Sequence, residues 1–182
     1  FPRAGEAAVE QPSFRHTNWF ETVGEECRAV RQRVGILDLG GFAKYKVRGP
    51  GAEAFLDGLI TGRVPGPGRI ALAYFCDGQG GVVSELTITR LAQDRFYLCA
   101  AATAEHHDWD WMAARLPADG GVEVENQTGR YGTLVLAGPK AREVLAEVTE
   151  ADLSNDAFPW LSAAEITIGF APVLALRVNY VG

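Results

Sequence analysis

Residues 80–90 read GGVVSELTITR. A pair of glycines leads into a strand-like run of Val83, Leu86 and Ile88, and one carboxylate, Glu85, sits inside it. Acidic side chains are poor strand formers, and Thr or Val would suit that slot better. A carboxylate held on a strand offers proton transfer or stabilisation of a nearby positive charge. By alternation Glu85 shares a face with Val83, Thr87 and Thr89, while Val82, Ser84, Leu86 and Ile88 line the other. Composition alone reads Glu85 as a surface glutamate, because Glu is almost never buried unpaired.

Other chemistry-bearing residues yield less. His106 and His107 are adjacent on a predicted helix and point about 100° apart, so they cannot ligate one metal from one face. Both read as solvated, and no metal site is expected. Cys27, Cys76 and Cys99 are odd in number and far apart, with no C-x-x-C pair. That pattern suits buried thiols in a reducing compartment, and no nearby His activates any of them. GQGG at 78–81 completes no G-x-G-x-x-G and is followed by a strand rather than a helix, so it reads as a hairpin turn. There is no G-x-S-x-G elbow and no phosphate-cradling G-x-x-x-x-G-K-[ST].

The 182 residues, 47% hydrophobic and 22% charged, suffice for one domain or for two small halves sharing a core. The net charge of −6, with 17 scattered basic residues, excludes a nucleic-acid backbone as partner. No apolar run approaches the roughly 18–20 residues that span a bilayer, and no signal-peptide pattern opens the chain, so a soluble intracellular protein is expected.

The elements that must position Glu85 follow from periodicity. Residues 1–13 read as a linker or arm. Asn18 with Glu21 three residues on has the form of a helix start, and Trp19, Val23, Cys27, Val30 and Val34 then recur at helical spacing as one buried face. FAKYKV (42–47) alternates as a strand, and Gly49-Pro50 opens a helix. The runs at 69–76, 82–91 and 95–101 are joined by hairpin-length links, which predicts an antiparallel meander with Glu85 in its middle strand. A helix capped by Thr103 follows, ended by Pro117 and the glycines at 120–121. Two further strands follow, and then a hairpin around Gly169. Residues 44–59 and 133–148 align at an offset of 89 (133 − 44), with Gly49, Pro50, Ala52 and Leu56 falling on Gly138, Pro139, Ala141 and Leu145. A strand running through Gly-Pro into a helix therefore occurs twice, as an internal duplication would produce. The last run still reads as strand at Gly182, which predicts a domain that continues further.

The blocks ECRAVRQRVGILDLGGFAKYKVRGPGAEAFLDGL, GGVVSELTITRL, FYLCAAATAEHHDWDWM, LVLAGPKAREVL, DLSNDAFPWL and RVNYVG occur in order. Together they resemble the folate-binding half of the dimethylglycine and sarcosine dehydrogenases, which is similar in turn to the aminomethyltransferase (T-protein) of the glycine cleavage system. The resemblance runs from about residue 14 to the last residue. It implies an α+β fold: two strand-swapped antiparallel-sheet subdomains with flanking helices, here approximately 35–120 and 121–182. The family's C-terminal barrel is absent from this stretch.

The resemblance also implies a site. The strand after the family's double glycine carries an acidic residue in a GGxxxD pattern that faces the reduced pteridine, and this position is Glu85. It is the implied catalytic residue, with Glu in place of the more common Asp. The implied cofactor is tetrahydrofolate, contacted by Leu72, Tyr74 and Tyr180, with Leu72, Tyr74 and Phe75 desolvating the carboxylate. A flavin domain oxidises an N-methyl amine, and the one-carbon unit passes to folate as 5,10-methylenetetrahydrofolate while Glu85 acts as fixed anion and base. FAD would belong to an upstream domain outside this chain, and a barrel would follow downstream. The partners are folate and a methylated amine, with no nucleic acid and no membrane. The compartment is cytoplasmic, or the mitochondrial matrix in a eukaryote. Leu72 where T-proteins have Tyr, and Ala101 where they have Asn, point toward the dehydrogenase-fused branch. Two alternatives within the fold are a tetrahydrofolate-dependent demethylase and a non-catalytic regulatory module.

Overall fold

Alternation and turn chemistry account for most of the elements seen in the computed structural model, which describes residues 4, 5 and 7–179. In chain order these are α1 (Phe20–Gln32), β1 (Gly35–Asp38), β2 (Ala43–Arg48), α2 (Ala52–Leu59), β3 (Ile60–Thr61) and β4 (Ile70–Cys76). Next come β5 (Val82–Ala92), β6 (Arg95–Ala100), a 3-10 turn (Ala102–Ala104), α3 (Glu105–Ala113) and β7 (Glu123–Asn126). The last are β8 (Leu134–Ala137), α4 (Ala141–Ala146), β9 (Ser162–Ile168) and β10 (Ala171–Arg177). The fold is α+β with antiparallel sheets and few helices.

The chain forms two compact units that interleave in sequence. One comprises the chain up to Leu37 together with Val135–Glu147; the other comprises Asp38–Leu134 and the chain from Val148. The larger unit is built on a six-stranded sheet in the order β3-β4-β5-β6-β2-β7. The expected meander is its centre, with β4–β5, β5–β6 and β6–β2 all antiparallel. One face of this sheet is apolar by period-2 alternation: Tyr45, Val47, Phe75, Leu86, Ile88 and Leu98 are all 2% exposed or less. Leu56 of α2 and Met112 of α3, both fully buried, cover that face. The GQGG segment is a hairpin turn. Asp77 Oδ1 accepts the amides of Gln79 and Gly81, and Gly80 takes the left-handed conformation (φ +83°).

The strand–Gly-Pro–helix unit occurs twice with the same local geometry. Gly49 and Gly138 have φ of +123° and +125°, and the amides of Ala52 and Ala141 donate to their carbonyls. The amide of Gly51 donates to Gly121 O at 3.0 Å, and that of Lys140 donates to Arg33 O at 2.9 Å. Each accepting carbonyl lies two residues before a strand, β7 or β1. Each of those strands pairs with the strand that leads into the same unit's helix: β7 lies beside β2, which leads into α2, and β1 beside β8, which leads into α4. Pairing therefore crosses between the early and late parts of the chain.

A Cβ at Gly49 would lie 2.3 Å from Gly121 O, and one at Gly138 2.6 Å from Arg33 O. Strain and clash act together at both positions. Gly49→Ala and Gly138→Ala are each expected to cost about 2–3 kcal/mol in chemical denaturation. Gly62→Ala has open space around it (φ +106°) and should show only the strain component.

Two helix starts differ from expectation. Asn18 does not cap α1: its Oδ1 accepts Gln11 N–H at 2.9 Å and its Nδ2 donates to Val9 O at 3.1 Å, so it binds the preceding segment instead. Trp19 takes the N-cap position without a side-chain capping bond. No residue of α1 is buried. Trp19, Val23 and Cys27 of the predicted face are exposed, and only Val30 and Val34 are half-buried, because the stripe finds neighbours at its C-terminal end, around Gly35 and Gly138. Thr103 lies within the 3-10 turn and does not cap α3, whose N-cap is Ala104. No helix among the described residues is long and apolar enough to cross a membrane.

Candidate functional site

The second face of the meander carries the candidate chemistry. Register places Leu72 (β4), Thr87 (β5), Cys99 (β6) and Lys44 (β2) in one row across the sheet. Glu85 and Tyr74 form the next row, directly opposite each other. There the sheet has a notch. The β5–β6 ladder ends at Leu86–Ala100, and the chain then leaves through Ala101 into the 3-10 turn. A cavity of about 230 Å³ occupies the notch, walled by Phe42, Leu72, Glu85, Thr87, Cys99 and Ala101 among others.

Glu85 and Leu72 are thus brought together, both exposed on the cavity wall. Tyr74 is half-buried beside the cavity, directly opposite Glu85 in the β4–β5 pair. The neighbouring Glu85 carboxylate holds the phenol above its ordinary value. Phe75 does not flank Glu85. It is fully buried on the opposite, core face, because consecutive strand residues point apart. Desolvation by Phe75 therefore does not act on this carboxylate. Tyr180 lies outside the described residues. His106 and His107 are exposed on α3, and among the described residues no three His, Cys, Asp or Glu converge as metal ligands.

Two site residues escaped sequence reasoning. Lys44, which strand alternation alone does not single out, is fully buried. Its Nζ donates to Gly40 O at 2.7 Å and Phe42 O at 2.8 Å, which fixes the short loop that presents Phe42 to the cavity. Burial of both Lys44 and Tyr45 means that β2 is covered on both faces, and alternation gives no signal for that. The second is Asp108, 1% exposed, whose Oδ2 accepts the Ser84 hydroxyl at 3.0 Å. Its four-residue spacing from Met112 was the available signal, since both face the core from one side of α3.

Burial pushes the Asp108 carboxyl up, while the Ser84 hydroxyl and the His107 imidazole (Nδ1 3.5 Å from Oδ1) pull it back. The folded chain therefore holds this proton to higher pH than the unfolded chain does. Above the ordinary carboxylate range (about 4) the native state binds more protons, so this group's contribution to stability falls as pH rises. Asp108→Asn lacks that decline. Urea titrations of both proteins should show the variant gaining relative to the parent from pH ~4 upward. A constant difference would place the proton elsewhere.

At about 230 Å³ the cavity is smaller than the roughly 300–1,000 Å³ of drug-sized pockets. Phe42 and Leu72 supply apolar walls, and Glu85 supplies a carboxylate.

Comparison with known proteins agrees with the fold. The model of the GCVT N-terminal domain matches residues 4–182. The chain is 38% identical over 183 residues to mitochondrial dimethylglycine dehydrogenase of Mus musculus, covering 100% of this chain and 21% of that protein. It is 32% identical over 184 residues to an aminomethyltransferase of Geobacillus thermodenitrificans, covering 100% of this chain and 50% of that protein. The crystal structure of aminomethyltransferase T of the glycine cleavage system from Bartonella henselae superposes with a TM-score of 0.67 at 25% identity. That match covers 86% of this chain and 41% of the other. The chain thus spans between a fifth and a half of the length of these relatives. It belongs to the GCVT N-terminal domain family, a family of folate-binding domains.

Proposed function

We propose that this chain is the tetrahydrofolate-binding part of an enzyme that moves a one-carbon unit from an N-methyl amine of the dimethylglycine or sarcosine type to tetrahydrofolate. The observation that carries this reading is the exposed Glu85 carboxylate on the wall of a cavity of about 230 Å³, beside Leu72 and opposite Tyr74. When bound, tetrahydrofolate supplies two nitrogens that together accept the one-carbon unit as 5,10-methylenetetrahydrofolate. Glu85 orients the ring through its nitrogens, stabilises the cationic one-carbon donor and takes up the proton released on transfer. Tyr74 stands opposite that carboxylate in the strand pair, and Leu72 and Phe42 pack the ring faces. Tyr180 is assigned a contact with the same ligand by the family pattern.

Amine oxidation in this reading belongs to a flavin domain elsewhere in the protein, since no dinucleotide fingerprint occurs in this chain. The compartment follows the host: mitochondrial matrix in a eukaryote, cytoplasm in a bacterium. The two strand–Gly-Pro–helix units are read as copies of one ancestral unit, with halves near 35–120 and 121–182 that exchange β1 and β7. Calorimetric titration of the full-length protein with folinic acid tests the reading. Micromolar or tighter binding that is lost in Leu72→Asp supports the site, whereas unchanged binding in that variant places the folate elsewhere.

A further inference from the structure

We propose that Asp108 is a positioning residue for Glu85, acting through Ser84 to hold the register of β5 at the notch; this rests on the function proposed above. Three features converge on Ser84. First, β5 has lost its β6 neighbour by this point, because the ladder ends at Leu86–Ala100. Second, the β4–β5 register shifts immediately beyond it: Phe75 pairs with Ser84, but Cys76 pairs with Val82, leaving Val83 as an extra residue. Third, Ser84 is 8% exposed and donates its hydroxyl to Asp108 Oδ2, on a different element, at 3.0 Å.

A bulge beside an unpaired edge is where a strand can slip. Shifting β5 by one residue exchanges faces, sending Glu85 into the core and Ser84 out to the cavity. Backbone pairing resists this on the β4 side only. On the other side, the resistance comes from the Ser84–Asp108 bond to α3. An apolar pair would fill the same space without burying a carboxyl group, and apolar replacements of buried polar pairs are often neutral or stabilising. A polar tie is directional and survives in one register only. Asp108 Oδ1 makes no hydrogen bond among the described residues and has His107 Nδ1 of the same helix 3.5 Å away, so the Ser84 bond is the one that ties Asp108 to β5.

The test uses the full-length protein and compares Ser84→Ala, Asp108→Leu and Asp108→Asn, each with Glu85 present and with Glu85→Gln. With Glu85 present, Ser84→Ala and Asp108→Leu should lower kcat for one-carbon transfer about ten-fold, with KM for folate and the amine-oxidation rate little changed. Asp108→Asn should restore most of that loss, because its amide oxygen accepts the same hydroxyl. In the Glu85→Gln background the same changes should cost less than about two-fold, since a misplaced glutamine loses nothing further. Equal losses in both backgrounds would make Asp108 a folding residue and overturn the proposal.

If Asp108→Leu fails to fold, Ser84→Ala, which removes one atom, carries the comparison alone. A Glu85→Gln enzyme with unimpaired transfer would overturn the functional reading instead. The tie is then judged by hydrogen exchange: Ser84→Ala should speed exchange of amides 83–85 at least ~10-fold and leave β6 unchanged, and no change refutes it.

Discussion

Glu85→Gln in the full-length protein is expected to slow one-carbon transfer to tetrahydrofolate by at least ~10²-fold while amine oxidation stays within about two-fold of the parent. The substitution keeps the size and the strand position and removes only the charge and the proton-accepting oxygen. Transfer needs both: a cation must be stabilised, and a folate nitrogen must lose a proton. Oxidation needs neither from this residue. Glu85 is exposed and its strand pairing with Tyr74 is made by the backbone, so the pair should persist and thermal stability should change little. Single-turnover rates for the two half-reactions, measured separately, check this. Equal loss in both would show that Glu85 supports the fold rather than the chemistry.

Arg90→Ala is expected to destabilise the protein by about 3–5 kcal/mol in urea or guanidinium titrations. Arg90 is 4% exposed and lies at the end of β5, where it ties three segments together. Its guanidinium binds Glu53 of α2 through both oxygens, at 3.0 and 2.6 Å. It also donates to the carbonyls of Pro65, Ala92 and Gln93, and its guanidinium carbon stands 5.1 Å from the Phe96 ring centroid. Glu53 itself is half exposed and can turn to water. The cost therefore comes mainly from the orphaned carbonyls and the vacated space, not from an unpaired carboxylate. Arg90→Lys should recover less than half, because an ammonium cannot reproduce a fork that bonds five acceptor atoms. A loss under ~1 kcal/mol for Arg90→Ala would mean that the carbonyls find other donors.

The central strands were legible in the sequence, and the reason is local. Side-chain alternation in 69–76, 82–91 and 95–101 is a property of each segment, and the Asp-Gly and Gln-Asp links are hairpin chemistry wherever they occur. Gly49 and Gly138 were legible for a similar reason: each Gly-Pro step turns a strand into a helix start, and both show the same positive φ. The two-residue β3 has too little pattern to read. The α1 stripe misled, since a helical period reports which residues share a side and not whether anything covers them. Asn18 misled likewise, because its side chain had a second partner in the preceding segment.

The sequence by itself determined the parity within each strand of the meander: Leu72 and Tyr74 on one face of β4 and Phe75 on the other, Glu85 and Ser84 on opposite faces of β5. That Glu85 shares its face with Leu72 and Tyr74, and not with Phe75, came with the β4–β5 register. Parity follows from covalent geometry and needs no partner. Only the tertiary structure decided that β6 stops at Ala100, opening the notch beside Glu85, and that Lys44 is covered on a strand that reads as half polar. It alone joined Ser84 to an aspartate 24 residues away, and β7 to β2 across more than 70 residues. These are meetings between distant segments. They are set by which edges and faces remain unpaired when the whole chain closes, and that balance is not written in any one stretch of residues.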